Sequence, residues 1–149
     1  MEAKNCLVVS RHKLLPAQEQ DIREICGDDN FVQVSEIPTD LKQLQNFVEP
    51  FYKIIGTFPT NLIDPLTKTG KEVYIFEMRN LGTYSNPEEA KKVADQYPDF
   101  AVVLQGNKPG EPSRVVFYEG ISRVKRVVIE KEKVITHDDP LSSYLSQTS

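Results

Sequence analysis

Four consecutive apolar residues, Cys6-Leu7-Val8-Val9, stop abruptly at Ser10-Arg11-His12-Lys13, and this switch constrains the fold more than any other feature of the chain. A short run without polar alternation reads as a strand covered on both faces. Cover on both faces calls for helices packed on a parallel sheet. The next residues agree. Pro16 suits the first turn of a helix, where its missing N–H costs nothing. Leu15, Ile22, Ile25 and Cys26 then recur at helical spacing, and Gly27 is placed to end the element.

Phe31-Val32-Gln33-Val34 reads as a second strand, and a second helix follows Pro38, with Asp40 and Gln43 as a capping box. Its apolar face is Leu41, Leu44, Phe47, Val48, Phe51, Ile54 and Ile55, with a kink or break expected at Pro50. Residues 57–70 read as a long loop or insertion. Residues 71–79 form a strand with Val73 and Ile75 on one face and Tyr74, Phe76 and Met78 on the other. A third helix is capped by Asn86, with Pro87 in its first turn, Glu89 at the capping-box position, and Ala90, Val93, Ala94 and Tyr97 as its buried face. Residues 100–104 are another buried strand, ending in a polar loop at 105–110. Strand-like runs at 114–119 and 123–135 follow, the second protected by alternating Glu and Lys.

The expected fold class is α/β, a Rossmann-like, mostly parallel sheet flanked by helices, with extra C-terminal strands. Residues 1–137 read as one ligand-binding domain and 138–149 as a polar, disordered tail. The chain has 149 residues, enough for one ordinary domain. With 18 basic against 22 acidic residues the net charge is −4, which argues against coating duplex DNA, since that affinity comes from Lys and Arg displacing counterions. No apolar stretch is long enough to span a membrane, and no signal pattern opens the chain, so a cytoplasmic protein is expected. Cys6 and Cys26 lie in apolar runs without neighbours at metal-ligand spacing and read as two reduced core thiols.

Ligands of open parallel sheets bind beyond the carboxyl ends of the strands, where strand order reverses. Two loops qualify. Ser10, Arg11, His12 and Lys13 offer a hydroxyl, a guanidinium, an imidazole and an ammonium before a helix N-terminus, a combination suited to an anion. Gln105, Gly106, Asn107 and Lys108, with Arg114 nearby, form the second, where glycine lets backbone N–H groups approach a phosphate. The chain lacks a Walker A loop, a dinucleotide-binding glycine motif and a hydrolase elbow. His137-Asp138-Asp139 reads as surface, and Arg123, Lys125 and Arg126 as a solvated sheet face. No metal or cofactor is expected.

Residues 7–18, Leu-Val-Val-Ser-Arg-His-Lys-Leu-Leu-Pro-Ala-Gln, resemble the opening of small CRISPR-associated proteins related to the CARF domain. These begin with an apolar strand, a Ser-His-containing loop, and a helix opened by a Pro and a Gln. Residues 100–106 look like their ligand-side strand and loop. The insertion at 57–84 and the strand-rich C-terminal third depart from the pattern. The resemblance implies a homodimer that binds cyclic oligoadenylate, above all cyclic tetra-adenylate, and cleaves it as a metal-independent ring nuclease that switches off type III CRISPR signalling. It implies His12, Ser10 and Lys108 as catalytic residues, with Arg11 and Lys108 on phosphate. The alternatives are a non-catalytic binder of the same messenger and an accessory subunit that docks a protein and takes no small ligand.

Overall fold

The computed structural model describes residues 6–27, 31–106, 108–125 and 130–137. In chain order the elements are β1 (Cys6–Val9), α1 (Pro16–Cys26), β2 (Phe31–Val34), α2 (Leu41–Val48), β3 (Lys53–Gly56), α3 (Thr60–Lys68), β4 (Glu72–Tyr84), α4 (Pro87–Asp95), β5 (Ala101–Leu104), β6 (Ser113–Lys125) and β7 (Glu130–Thr136). One sheet holds these strands in the order β2-β1-β3-β4-β6-β5, with β7 also paired to β6. β1 runs parallel to β2 and β3, and β3 parallel to β4. β6 is antiparallel to β4, β5 and β7. The chain is therefore α/β with a mixed sheet: parallel through its first half and antiparallel around β6.

Successive side chains of a strand point to opposite faces, and β1 shows what this does to the layers. Leu7 and Val9 pack with Leu44 and Val48 of α2 and with Leu62 and Leu66 of α3. Val8 packs with Ala17 and Ile22 of α1 and with Tyr74, Phe76 and Tyr118. So α1 covers one face while α2 and α3 cover the other. β1 is buried throughout, which is why its sequence is a continuous apolar run. Val73 and Ile75 of β4 face the α2/α3 layer, and Tyr74, Phe76 and Met78 the α1 layer, in the alternation expected from the sequence. Ala90 and Ala94 of α4 seat that helix on Ala101 and Val115.

Local signals set the helix ends. Pro16 opens α1 and Gly27, at φ +72°, closes it. Asp40 accepts the Lys42 N–H at 2.9 Å, so it caps α2 without the reciprocal Gln43 bond expected of a capping box. Asn86 accepts the Glu88 N–H at 2.9 Å at the start of α4, which runs from Pro87 as expected and ends before Tyr97.

Several expectations are corrected. The second helix does not continue to Ile55. It stops at Val48, two residues before Pro50, and residues 53–56 form β3 in the middle of the sheet. A short apolar run fits a helix face or a buried strand equally well, and Pro50 ends the helical option. Residues 57–70 are not a long loop, because α3 occupies most of them with Pro65 inside the helix. The strand expected at 71–79 reaches Tyr84. The run at 114–119 continues unbroken through Gly120 to Lys125, and β7 is a separate strand. Exposed Lys131, Glu132 and Lys133 on β7 keep the solvated-edge character read from the sequence, and Lys125 meets Glu132 at 2.9 Å. Arg126 and the tail at 138–149 lie outside the described residues.

The cysteines are not reduced thiols: Cys6 and Cys26 form a disulfide. Cys6 opens β1 and Cys26 closes α1, and because the helix returns antiparallel to its strand the two Cα atoms come within 6.0 Å. A separation of 20 positions in the sequence conceals this pairing.

Candidate carboxyl-edge ligand site

The chain leaves β1 for β2 on one side and then crosses back over β1 to reach β3 on the other. The strand order therefore reverses between β1 and β3, and a crevice is expected outside their carboxyl ends. A cavity of about 490 Å³ lies there, within the range of small-molecule sites of about 300–1,000 Å³. Ser10 N–H donates to Val34 O at 2.9 Å, and Thr57 N–H donates to Val9 O at 3.3 Å, so the ends of β1, β2 and β3 stand side by side at its mouth.

All four residues of the first expected loop, Ser10, Arg11, His12 and Lys13, line this cavity. The Ser10 hydroxyl donates to His12 O at 2.8 Å and accepts the His12 N–H at 3.3 Å. That reciprocal turn holds the loop, commits the hydroxyl to backbone, and leaves the Arg11, His12 and Lys13 side chains exposed. The walls opposite come from Ser35, Glu36 and Thr39 after β2 and from Thr57 and Phe58 after β3. The floor is apolar: Phe76 and Met78 from β4, Val102 and Leu104 from β5, and Val116 from β6. β5 reaches this edge because β6 is antiparallel to both β4 and β5, which makes β5 run with the parallel strands.

The second expected loop is not part of the wall. Leu104 borders the cavity, but Gln105, Gly106, Lys108 and Arg114 do not. Arg114 pairs with Leu104 and Thr83 within the sheet, and its side chain is exposed. Asn107 lies outside the described residues. The wall residues after β3 carry no legible signal, because the β3 sequence fits a helix face as well as a strand. Those after β2 follow a strand end, a positional signal the sequence did carry. Gln18, which belongs to the family-like segment at residues 7–18, also lines the cavity.

A second polar cluster lies on the α1 face. Asp21 of α1 is 2% exposed. Its Oδ2 accepts from the Tyr118 hydroxyl at 2.5 Å and meets His137 Nε2 at 2.6 Å. Burial, and then the bond to the Asp21 carboxylate, push the Tyr118 hydroxyl well above its ordinary value near 10. His137 packs edge-on to Phe100 and tilted against Tyr118. The expectation that His137 is simply surface is therefore corrected: it is half-buried and bound to a carboxylate 116 positions away. Asp138 and Asp139 lie outside the described residues. With both donors on one carboxylate oxygen, this cluster bolts α1 to β6 and to the end of β7.

Among the described residues no group of three or more His, Cys, Asp or Glu side chains is arranged to hold a metal ion, and no helix is long and apolar enough to cross a membrane. The fold and cavity define an α/β protein with a ligand-type crevice at its sheet's carboxyl edge. No protein-family model, no curated protein and no solved structure matches the chain.

Proposed function

We propose that this chain binds a cyclic oligoadenylate, cyclic tetra-adenylate first, in the carboxyl-edge cavity, and opens the ring without a metal. The observation that carries the reading is that residues 10–13, the segment with the family-like sequence, form one wall of a cavity with an apolar floor at the topological switch point. Exposed Arg11 and Lys13 at the mouth suit phosphates. The floor of Phe76, Met78, Val102, Leu104 and Val116 suits the flat face of a base. A two-fold ring is shared by two copies of the chain, each offering one such cavity.

In the reaction a ribose 2′-oxygen forms a bond to the adjacent phosphorus and the bond from phosphorus to the 5′-oxygen breaks. The 2′-hydroxyl proton passes to water, and His12 donates a proton to the departing 5′-oxygen. Arg11 and Lys13 neutralise charge building on the phosphoryl oxygens. Ser10 holds the loop through its turn with His12 and so positions the imidazole's backbone. Lys108 and Arg114 have no part in this version of the site, since neither borders the cavity.

Binding without cleavage is the second reading, favoured by the Ser10 hydroxyl, which is committed to the His12 backbone and so is not offered to the ligand or to the imidazole. Incubation with cyclic tetra-adenylate in EDTA, with a parallel binding titration, separates the two. Linear products with 2′,3′-cyclic phosphate ends support the nuclease, and stoichiometric binding without products supports the binder. Neither binding nor cleavage, across ring sizes, defeats both and favours a protein-docking accessory subunit.

A further inference from the structure

Gln18 is only 6% exposed, yet it borders the cavity. Its Oε1 accepts the Leu15 N–H at 2.9 Å, satisfying a donor left open at the start of α1. That bond sets which way the amide faces, because turning it over would oppose an NH2 to an N–H. The end left over is Nε2, with two N–H donors and no acceptor, and its side chain makes no other hydrogen bond among the described residues. Nε2 is open to the cavity rather than sealed in protein, and a ligand that displaces water from it loses free energy unless it offers an acceptor.

We propose that Gln18 is a specificity residue whose Nε2 donates to an acceptor on the ligand, a ring nitrogen or carbonyl of a heteroaromatic base lying on the apolar floor. The assignment of a base rests on the proposed function. The donor-only character rests on the Leu15 bond alone. Phosphates stay at the mouth with Arg11 and Lys13, while Phe76, Met78 and Val102 hold the ring that Gln18 reads. A base turning an amine toward Nε2 is rejected, since donor would face donor.

The sequence position permits a clean test. Gln18→Glu keeps an oxygen for the Leu15 N–H, as in an ordinary capping box, and replaces the NH2 with an acceptor. Gln18→Met, uncharged and of similar length, separates loss of the donor from gain of a charge. The probes are cyclic tetra-adenylate, AMP, GMP, CMP and UMP, titrated calorimetrically against the full chain and both variants. The Gln18 side-chain amide signal is followed in parallel by nitrogen-edited NMR. The expected result is a parent-like melting temperature for Gln18→Glu, a loss of affinity of about tenfold or more in both variants, and a shift of the Gln18 amide signal on binding. Parent-like affinity within twofold in both variants overturns the inference and leaves the proposed function standing. Gln18-dependent binding of a mononucleotide, with no binding of the cyclic probe, upholds the inference and defeats the messenger reading. If the parent chain binds no probe, both fall.

Discussion

His137 Nε2 lies 2.6 Å from Asp21 Oδ2, joining the residue that follows β7 to the buried face of α1 across 116 positions of sequence. Tyr118 donates to the same oxygen at 2.5 Å. α1 also carries Gln18 into the cavity wall, so the bolt fixes the helix that frames the candidate site.

Removing the shared acceptor is therefore expected to cost more than removing either donor. Asp21→Ala leaves the buried Tyr118 hydroxyl and the half-buried His137 ring without their shared acceptor and is expected to destabilise the chain by about 2–3 kcal/mol. Tyr118→Phe removes one donor and is expected to cost about 1 kcal/mol. Urea unfolding of the single and double variants checks this, and the double variant is expected to be strongly non-additive.

Alkaline pH tests the same cluster by a different route. Burial and the Asp21 bond raise the Tyr118 hydroxyl far above 10, while burial and the 2.6 Å bond to Glu72 push Tyr74 up to about 12. A folded state that holds protons more tightly than the unfolded chain has that stability in full below the unfolded value near 10. It loses it as pH rises through the folded values. Stability is thus expected to fall above pH 10, and Tyr74 and Tyr118 are expected to ionise only well above pH 10. Tyrosinate absorbance followed with circular dichroism reads both, and Tyr118→Phe should remove one late step. Ionisation of both Tyr74 and Tyr118 near pH 10 in a folded chain contradicts this.

The Cys6–Cys26 disulfide encloses all of residues 10–13 and α1 in one covalent loop. A loop of this length stabilises by about 3 kcal/mol, chiefly by restricting the unfolded chain. Cys6→Ser with Cys26→Ser, or full reduction, is expected to lower the urea midpoint accordingly. Equal midpoints with and without reductant would show that the bond contributes nothing.

At the cavity, the two expected loops are distinguished by charge removal. Arg11→Ala is expected to weaken cyclic tetra-adenylate binding about tenfold, as for loss of a charge-assisted bond, whereas Lys108→Ala should change it less than twofold. His12→Ala is expected to slow ring opening by about 10²–10⁴ while leaving binding near the parent value. Equal losses from Arg11 and Lys108 would return the second loop to the site.

Residues that act through nearest neighbours were legible in the sequence. Pro16, Gly27, Asn86 and Pro87 mark helix ends through their own backbone chemistry, and the alternation of residues 73–78 assigned both faces of β4 before any packing was known. The polar switch at Ser10 marked a strand end, and that end proved to border the cavity. The tertiary structure decided what depends on residues far apart. Ile54 and Ile55 satisfy a helix face as well as a strand; pairing with Leu7 and Val8 of β1 on one side and with Val73 and Tyr74 of β4 on the other makes them strand. Cys6 meets Cys26, and Asp21 meets Tyr118 and His137, only because α1 folds back on the sheet. Strand order likewise put the loop at 10–13 on the cavity and left Lys108 and Arg114 off it. Local propensity sets each element's type and ends, but contacts between distant segments are chosen by how several apolar faces can be buried at once, which no single stretch of sequence encodes.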